Sequence, residues 1–243
     1  MPVALVTGAS KGIGAACAVA LARRGYDVGV TYAEDRAGAE TTAEEVTRAG
    51  ARAHVQRAEA RDPRAAPVMV EAVESELGPL DALVANAGIT RDGPAVRMDA
   101  AAWRAPIEVN LTGTMAAMHA ALEGMLRRRS GSIVAISSVV GVQGNAGQAN
   151  YAASKAGILG LVRALARAAG PSGVRINAVA PGYIVTRLTD VLTDEQRERL
   201  LSGSALPRLG TPDDVAGPVA FLCSPAAAYI TGSVLAVDGG LRI

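Results

Sequence analysis

Short aliphatic runs alternate with longer amphipathic stretches from one end of the chain to the other, and that alternation leaves few folds open. The runs VALVT (3–7), DVGVTY (27–32), ARAHVQ (51–56), DALVANAG (81–88), GSIVAISS (131–138), VRINAVAPG (174–182) and SVLAVDGG (233–240) read as strands. Stretches of helical length fall at 14–25, 36–50, 63–77, 99–128 and 150–169, with shorter ones near 193–201 and 212–223. The stretch 36–50 is acidic early, basic late and closes on a glycine, which suits the helix dipole and a left-handed cap. Apolar strands joined by helical crossovers form a parallel sheet covered on both faces. No Ser/Pro-rich linker or composition break divides the chain. The expectation is one doubly wound α/β domain over 1–243, with a seven-stranded parallel sheet flanked by helices.

Open sheets of this kind bind ligands outside the carboxyl ends of their strands. TGASKGIG (7–14) stands at the first such end and opens the first helix. Gly8, Gly12 and Gly14 allow a tight turn and close backbone approach, and the helix N-terminus offers free N–H groups to a pyrophosphate. In strand–turn–helix context this spacing predicts a Rossmann-type dinucleotide site. An acid at the end of the second strand would hold the ribose 2′-OH of NAD, but that strand ends in Tyr32 and Ala33. Lys11 in the turn and Arg36 beyond the strand favour the 2′-phosphate of NADP. Glu34 and Asp35 oppose that reading, and Arg36 reads equally as a solvated helix residue.

ANYAASKAG (149–157) places Tyr151 one helical turn before Lys155. The chain has five tyrosines and two lysines, Lys11 and Lys155; every other side-chain cation is arginine. Residues i and i+4 share a helix face, so an exposed pair would need no function. A tyrosine that must exchange a proton is a different case. Its reference pKa is about 10, and a cation one turn away stabilises the phenolate and lowers that value. Lysine is a compact point charge where arginine is a planar fork. Asn110, in VNLTG, is unfavourable inside a helix and marks either chemistry or a local distortion. Pro106, four residues earlier, removes a helix hydrogen bond and predicts a kink.

The spacing Gly-x-x-x-Gly-x-Gly, joined to ANAG (85–88) and Tyr-x-x-x-Lys, resembles the short-chain dehydrogenase/reductase family. The resemblance runs from VALVTGASKGIG to YITGSVLAVDGG. NAGITRDG, ISSVVG, GQANYAASKAG and VAPGYIVT are most similar to its 3-oxoacyl-[acyl-carrier-protein] reductases. It implies NADPH-dependent ketone reduction with Tyr151 as proton donor and Lys155 also bonding the nicotinamide ribose. It implies Ser138 as the group orienting the carbonyl, since the family's serine stands thirteen residues before the tyrosine, which selects it over Ser137. Asn110 matches the asparagine that holds a water leading to the lysine. Cofactor contacts implied are Gly8, Ser10, Lys11, Gly12, Ile13 and Gly14; Glu59 and Ala60, where the family usually has Asp-Val; Asn86, Ala87 and Gly88; Pro181, Gly182, Ile184 and Thr186; and Tyr151 and Lys155 themselves.

The implied substrate is a 3-oxoacyl group on an acyl carrier protein, in fatty-acid or polyketide-type synthesis. Arg127, Arg128 and Arg129 (in LRRRSG, 126–131) adjoin the strand that ends at Ser138. They read either as cations for an acidic carrier, with Arg128 and Arg129 the docking pair, or as residues the helix dipole favours anyway. A homotetramer, paired through 99–128, 150–169 and the last strand, is implied as well; the Ala-rich TMAAMHAAL (114–122) permits close helix approach.

A net charge of +1 argues against a nucleic-acid partner. Cys17 and Cys223 cannot build a disulfide framework, and no CxxC or His cluster suggests metal. The chain enters a strand at once, and no apolar run approaches the ~18 residues of a membrane span. A cytoplasmic setting is the default. The alternatives are a reductase or dehydrogenase of another ketone or secondary alcohol, and a non-catalytic cofactor-binding module, against which the intact Ser138, Tyr151 and Lys155 argue. By resemblance, epimerases and dehydratases of the extended family have other glycine spacings, and enoyl reductases of this fold separate Tyr and Lys more widely.

Overall fold

The structure, a computed structural model, describes residues 1–62, 64–185 and 203–241. The aliphatic runs form β1 (Val3–Val6), β2 (Asp27–Tyr32), β3 (Ala53–Arg57), β4 (Leu80–Ala85), β5 (Gly131–Ile136), β6 (Val174–Pro181) and β7 (Val234–Val237). All pair in parallel, in the order β3-β2-β1-β4-β5-β6-β7. The helices are α1 (Gly12–Ala22), α2 (Arg36–Arg48), α3 (Ala65–Leu77), α4 (Ala100–Pro106), α5 (Gly113–Arg128), α6 (Val140–Gln143), α7 (Ala149–Ala169) and α8 (Pro212–Cys223). The short helix expected near 193–201 lies outside the described residues.

Strand side chains alternate between two cores. Ala4, Val6, Val28, Val30 and Val84 meet Leu21 of α1, Val46 of α2 and Val219 of α8 on one face. Val3, Leu5, Leu83, Ile133 and Ile176 meet Val73 of α3, Met118 of α5 and Ile158 of α7 on the other. A strand covered on both sides has no polar face to show, which is why these runs are continuously aliphatic. Each fully buried Val, Leu or Ile contributes about 1.5–3 kcal/mol.

The chain goes out from β1 through β2 to β3, then returns to the other side of β1 as β4. Connections therefore diverge above the carboxyl ends of β1 and β4, and a crevice opens there. Thr7 fastens its floor: the Oγ1 accepts from the backbone N–H of Asn86 and Ala87 at 2.9 and 3.0 Å, and Asn86 Nδ2 donates to the Thr7 and Gly8 carbonyls.

One element departs from the sequence expectation. Residues 99–128 do not form one kinked helix: α4 ends at Pro106, a π-helical segment spans Ile107–Thr112, and α5 resumes at Gly113. Proline supplies no N–H and crowds the preceding turn, and the chain accommodates it by widening. Asn110 sits in that widened segment.

Candidate active site

Gly8 and Gly12 have φ of +61° and +58°, the left-handed conformation glycine tolerates. A Cβ on Gly8 would lie 2.9 Å from the Ala87 Cα, and one on Gly14 would strike the Gly8 carbonyl oxygen and crowd the Asn86 amide. The turn, the first residues of α1 and the end of β4 thus meet backbone to backbone. The first turn of α1 has no side-chain cap, so its N–H groups open over the crevice at the positive end of the helix dipole. Ser10 and Ile13 belong to this turn, and the Ser10 carbonyl closes against Gly38 of α2. The cradle fits the pyrophosphate of a dinucleotide.

At the adenosine end the expected cations are engaged. Lys11 Nζ lies 3.6 Å from Asp35, whose carboxylate also caps α2 by accepting from Gly38 N–H at 2.9 Å. Arg36 donates to Glu40 at 2.7 Å, so the solvated-helix alternative is the one observed for it. The exposed Lys11–Asp35 pair is weak enough to rearrange around an incoming phosphate. Glu59 is exposed and accepts from Arg61 N–H, while Ala60 presses its carbonyl on Gly113 at the start of α5. Sequence reading passed over Arg57, which donates through Nε to the Ala33 carbonyl at 3.0 Å, at the strand end that lacks an acid. The signal was available: a parallel register pairs residue 57 with Tyr32.

The polar residues of α7 converge on the same crevice. Asn110 is fully buried. Its Oδ1 accepts from Ile89 N–H at 2.8 Å, and its Nδ2 donates to the Ile89 carbonyl and to Ser154 Oγ, both at 3.0 Å. Ser154 Oγ donates in turn to the Tyr151 carbonyl at 2.8 Å. Lys155, 3% exposed, donates to the Ile136 carbonyl at 2.8 Å, its Nζ 5.7 Å from the centre of the Tyr151 ring. A Cβ on Gly88 would come within 3.5 Å of both the Asn110 amide oxygen and the Lys155 Nζ, so the turn after β4 ends inside this cluster. The two serines at the end of β5 have separate tasks. Ser137 Oγ donates to the Lys155 carbonyl at 2.8 Å and anchors α7. Ser138 Oγ accepts from Val140 N–H at 3.1 Å and stands beside the Tyr151 phenol.

The electrostatics differ from the sequence expectation. Burial raises the Tyr151 pKa above the ordinary tyrosine value; the Ser138 hydroxyl opposes the rise and Asp92 adds to it. Burial also lowers Lys155 from 10.5 to about 8. The ammonium donates to the Ile136 carbonyl from inside the protein, and its own desolvation is the cause of the fall.

At the β6 end, the Pro181 carbonyl accepts from Val139 N–H, Gly182 N–H donates to Val237, and the buried Ile184 bridges to Gly210. These residues lie on the same carboxyl edge of the sheet; Thr186 is outside the described residues. The arginine run does not. Arg128 donates to the Leu80 carbonyl at 2.6 Å, Arg129 donates to the Pro171 carbonyl, and Arg127 faces Glu123. Leu80 and Gly131 begin β4 and β5, and a six-residue strand is roughly 20 Å long. Within one chain Arg128 and Arg129 therefore stand at the opposite edge from Ser138, not on a rim around it.

The sequence model of a family described as "Enoyl-(Acyl carrier protein) reductase" matches residues 8–242. The 3-oxoacyl-[acyl-carrier-protein] reductase FabG of Staphylococcus aureus (strain Mu50) is 46% identical over 238 residues, covering 98% of this chain and 97% of the relative. That of Escherichia coli (strain K12) is 43% identical, covering 98% and 96%. The chain belongs to the short-chain dehydrogenase/reductase family. A crystal structure from Sinorhizobium meliloti 1021, assigned as a short-chain alcohol dehydrogenase, superposes with a TM-score of 0.95 at 38% identity, over 99% of this chain and 96% of that one. Enzymes of this family use a nicotinamide cofactor, which agrees with the glycine cradle. Among the described residues no group of three His, Cys, Asp or Glu side chains is placed to hold a metal, and no helix is long and apolar enough to cross a membrane.

Proposed function

We propose that this chain reduces a 3-oxoacyl thioester, carried on an acyl carrier protein, to the 3-hydroxyacyl thioester with NADPH. The observation that carries the reading is the meeting of Ser138, Tyr151 and Lys155 above the sheet crevice that holds the glycine cradle. When bound, the cofactor supplies a hydride to the carbonyl carbon. The protein must then provide a proton at the carbonyl oxygen. Ser138 and the Tyr151 hydroxyl lie side by side to receive that oxygen, and Tyr151 donates the proton as the alkoxide forms. Lys155, on the next helical turn, contributes positive charge beside the phenolate left behind. Asn110 and Ser137 hold α7 so that the pair keeps its place.

Gly8, Ser10, Lys11, Gly12, Ile13 and Gly14 would hold the pyrophosphate side of the cofactor, Asn86, Ala87 and Gly88 would line its path, and Pro181, Gly182 and Ile184 would serve the nicotinamide end; Thr186, outside the described residues, joins them by resemblance alone. NADP over NAD is supported by the missing acid at Ala33 and the nearby Lys11 and Arg57. The same likeness supports a cytoplasmic enzyme of one domain and a homotetramer. Exposed apolar residues on the proposed pairing elements support assembly: Met115 and Leu126 of α5 and Leu235 of β7.

Cofactor oxidation on adding a small 3-oxoacyl thioester tests the reading. Rapid consumption of NADPH supports it; a bound cofactor that is never oxidised by this or any related ketone favours the non-catalytic module.

A further inference from the structure

Pro106 does more to α4 than end it. In an α-helix the N–H of residue 106 would donate to the carbonyl of residue 102; proline has none, so the Ala102 carbonyl loses its helical partner. The side chain of Asn150 takes its place, Nδ2 donating to the Ala102 carbonyl at 2.8 Å. The second N–H of the same amide donates to the Arg91 carbonyl, in the segment after β4, also at 2.8 Å. Its Oδ1 accepts from the backbone N–H of Tyr151 at 2.7 Å. Asn150 is fully buried, so its amide bonds in three directions with no water in competition. The N–H of Tyr151 is one of the first in α7, where a helix provides no partner of its own. The turn that carries the phenol is thus fixed from α4, from the segment after β4 and from within.

We propose that Asn150 is a positioning residue for Tyr151, and that Pro106 supplies its anchor by leaving the Ala102 carbonyl free. The tie is specific in its chemistry. An aspartate at 150 could still accept from Tyr151 but could not donate to two carbonyls. An alanine at 106 would restore an N–H that competes with Asn150 for the Ala102 oxygen, and would improve the helix as it did so. Stability and turnover are therefore expected to move in opposite directions at Pro106, which a residue of merely structural importance would not produce.

The inference rests on Tyr151 being the proton donor, and the test separates the two ideas. NADPH-dependent reduction of a 3-oxoacyl thioester is measured for the wild type, Tyr151→Phe, Pro106→Ala, Asn150→Asp, Asn150→Ala and the double variant Pro106→Ala/Asn150→Ala. Thermal unfolding and NADPH affinity are measured alongside. Pro106→Ala is expected to unfold at a higher temperature, bind NADPH as the wild type does, and lose at least about threefold in kcat. Both Asn150 variants are expected to lose at least about tenfold in kcat, and Pro106→Ala to cost little once Asn150 is alanine. A wild-type kcat in Pro106→Ala, or losses at the two sites that simply multiply, would overturn the tie even with Tyr151→Phe inactive. An active Tyr151→Phe would remove the proton-donor reading and the tie with it.

Discussion

Lys155 is the residue on which the site's energetics turn, because it is a cation placed where a cation is costly. Its folded pKa of about 8 lies below the 10.5 of an unperturbed lysine. Below pH 8 both folded and unfolded states hold the proton, and the fold bears the full penalty, about 3 kcal/mol at 1.36 kcal/mol per unit. Between pH 8 and 10.5 the unfolded chain binds more protons, so stability rises with pH across that window. Lys155→Met removes the penalty but strands the Ile136 carbonyl, so the pH-dependent part is the informative one. The stability difference between variant and wild type is expected to shift in favour of the wild type from pH 8 to 10, followed by denaturant unfolding; a flat difference would mean that the lysine is not desolvated as described. Tyr151→Phe is expected to bind NADPH nearly as the wild type does and to turn over at least ~100-fold more slowly; near-normal turnover removes the phenol from the mechanism. The Tyr151–Lys155 pair was legible at this scale because its spacing is local, whereas Ser138 was singled out only by the family resemblance. The raised phenol pKa was not, since it depends on burial and on Asp92, fifty-nine residues away in sequence.

Elements came through the sequence according to how local their causes are. Continuous aliphatic runs marked the strands to within a few residues, and Gly50 adopts the positive φ expected of the glycine that closes 36–50. The widened segment between α4 and α5 was not readable. Pro106 announces a disturbance, but whether a chain kinks, stops or takes up an extra residue is decided by what packs around it; here Asn110 ties the segment itself, and Asn150 the helix before it, to neighbouring parts of the fold. The placement of the arginine run was lost for a similar reason: adjacency to a strand does not tell which end of it a residue faces. The junction of β1, α1 and β4 gives the sharpest element-scale prediction. Gly14→Ala would push a methyl group into the Gly8 carbonyl and the Asn86 amide. A loss of about 1–3 kcal/mol in stability is expected, with markedly weaker NADPH binding by fluorescence titration. Unchanged affinity would show that this junction does not shape the cradle.

For the whole molecule, the doubly wound sheet places the carboxyl ends of β1, β4, β5 and β6 along one edge, and every contributor to the site from Gly8 to Ile184 is drawn from that edge or from helices leaning over it. That much follows from topology, which is why fold and site location were readable together, whereas cofactor choice depends on side chains at a single corner. Comparing kcat/KM for the two cofactors is expected to favour NADPH, because Ala33 stands where a ribose-binding acid would be; a preference for NADH would point to Glu34 or Asp35. Light scattering at micromolar concentration is expected to give the mass of a tetramer, and a monomer mass would refute it. Which bond is reduced is the most direct test of the proposed reaction. Presented separately with a 3-oxoacyl and a 2-enoyl thioester, the wild-type protein with NADPH is predicted to convert the first to the 3-hydroxyacyl thioester and leave the second untouched; saturation of the enoyl thioester with the ketone unreacted would contradict it.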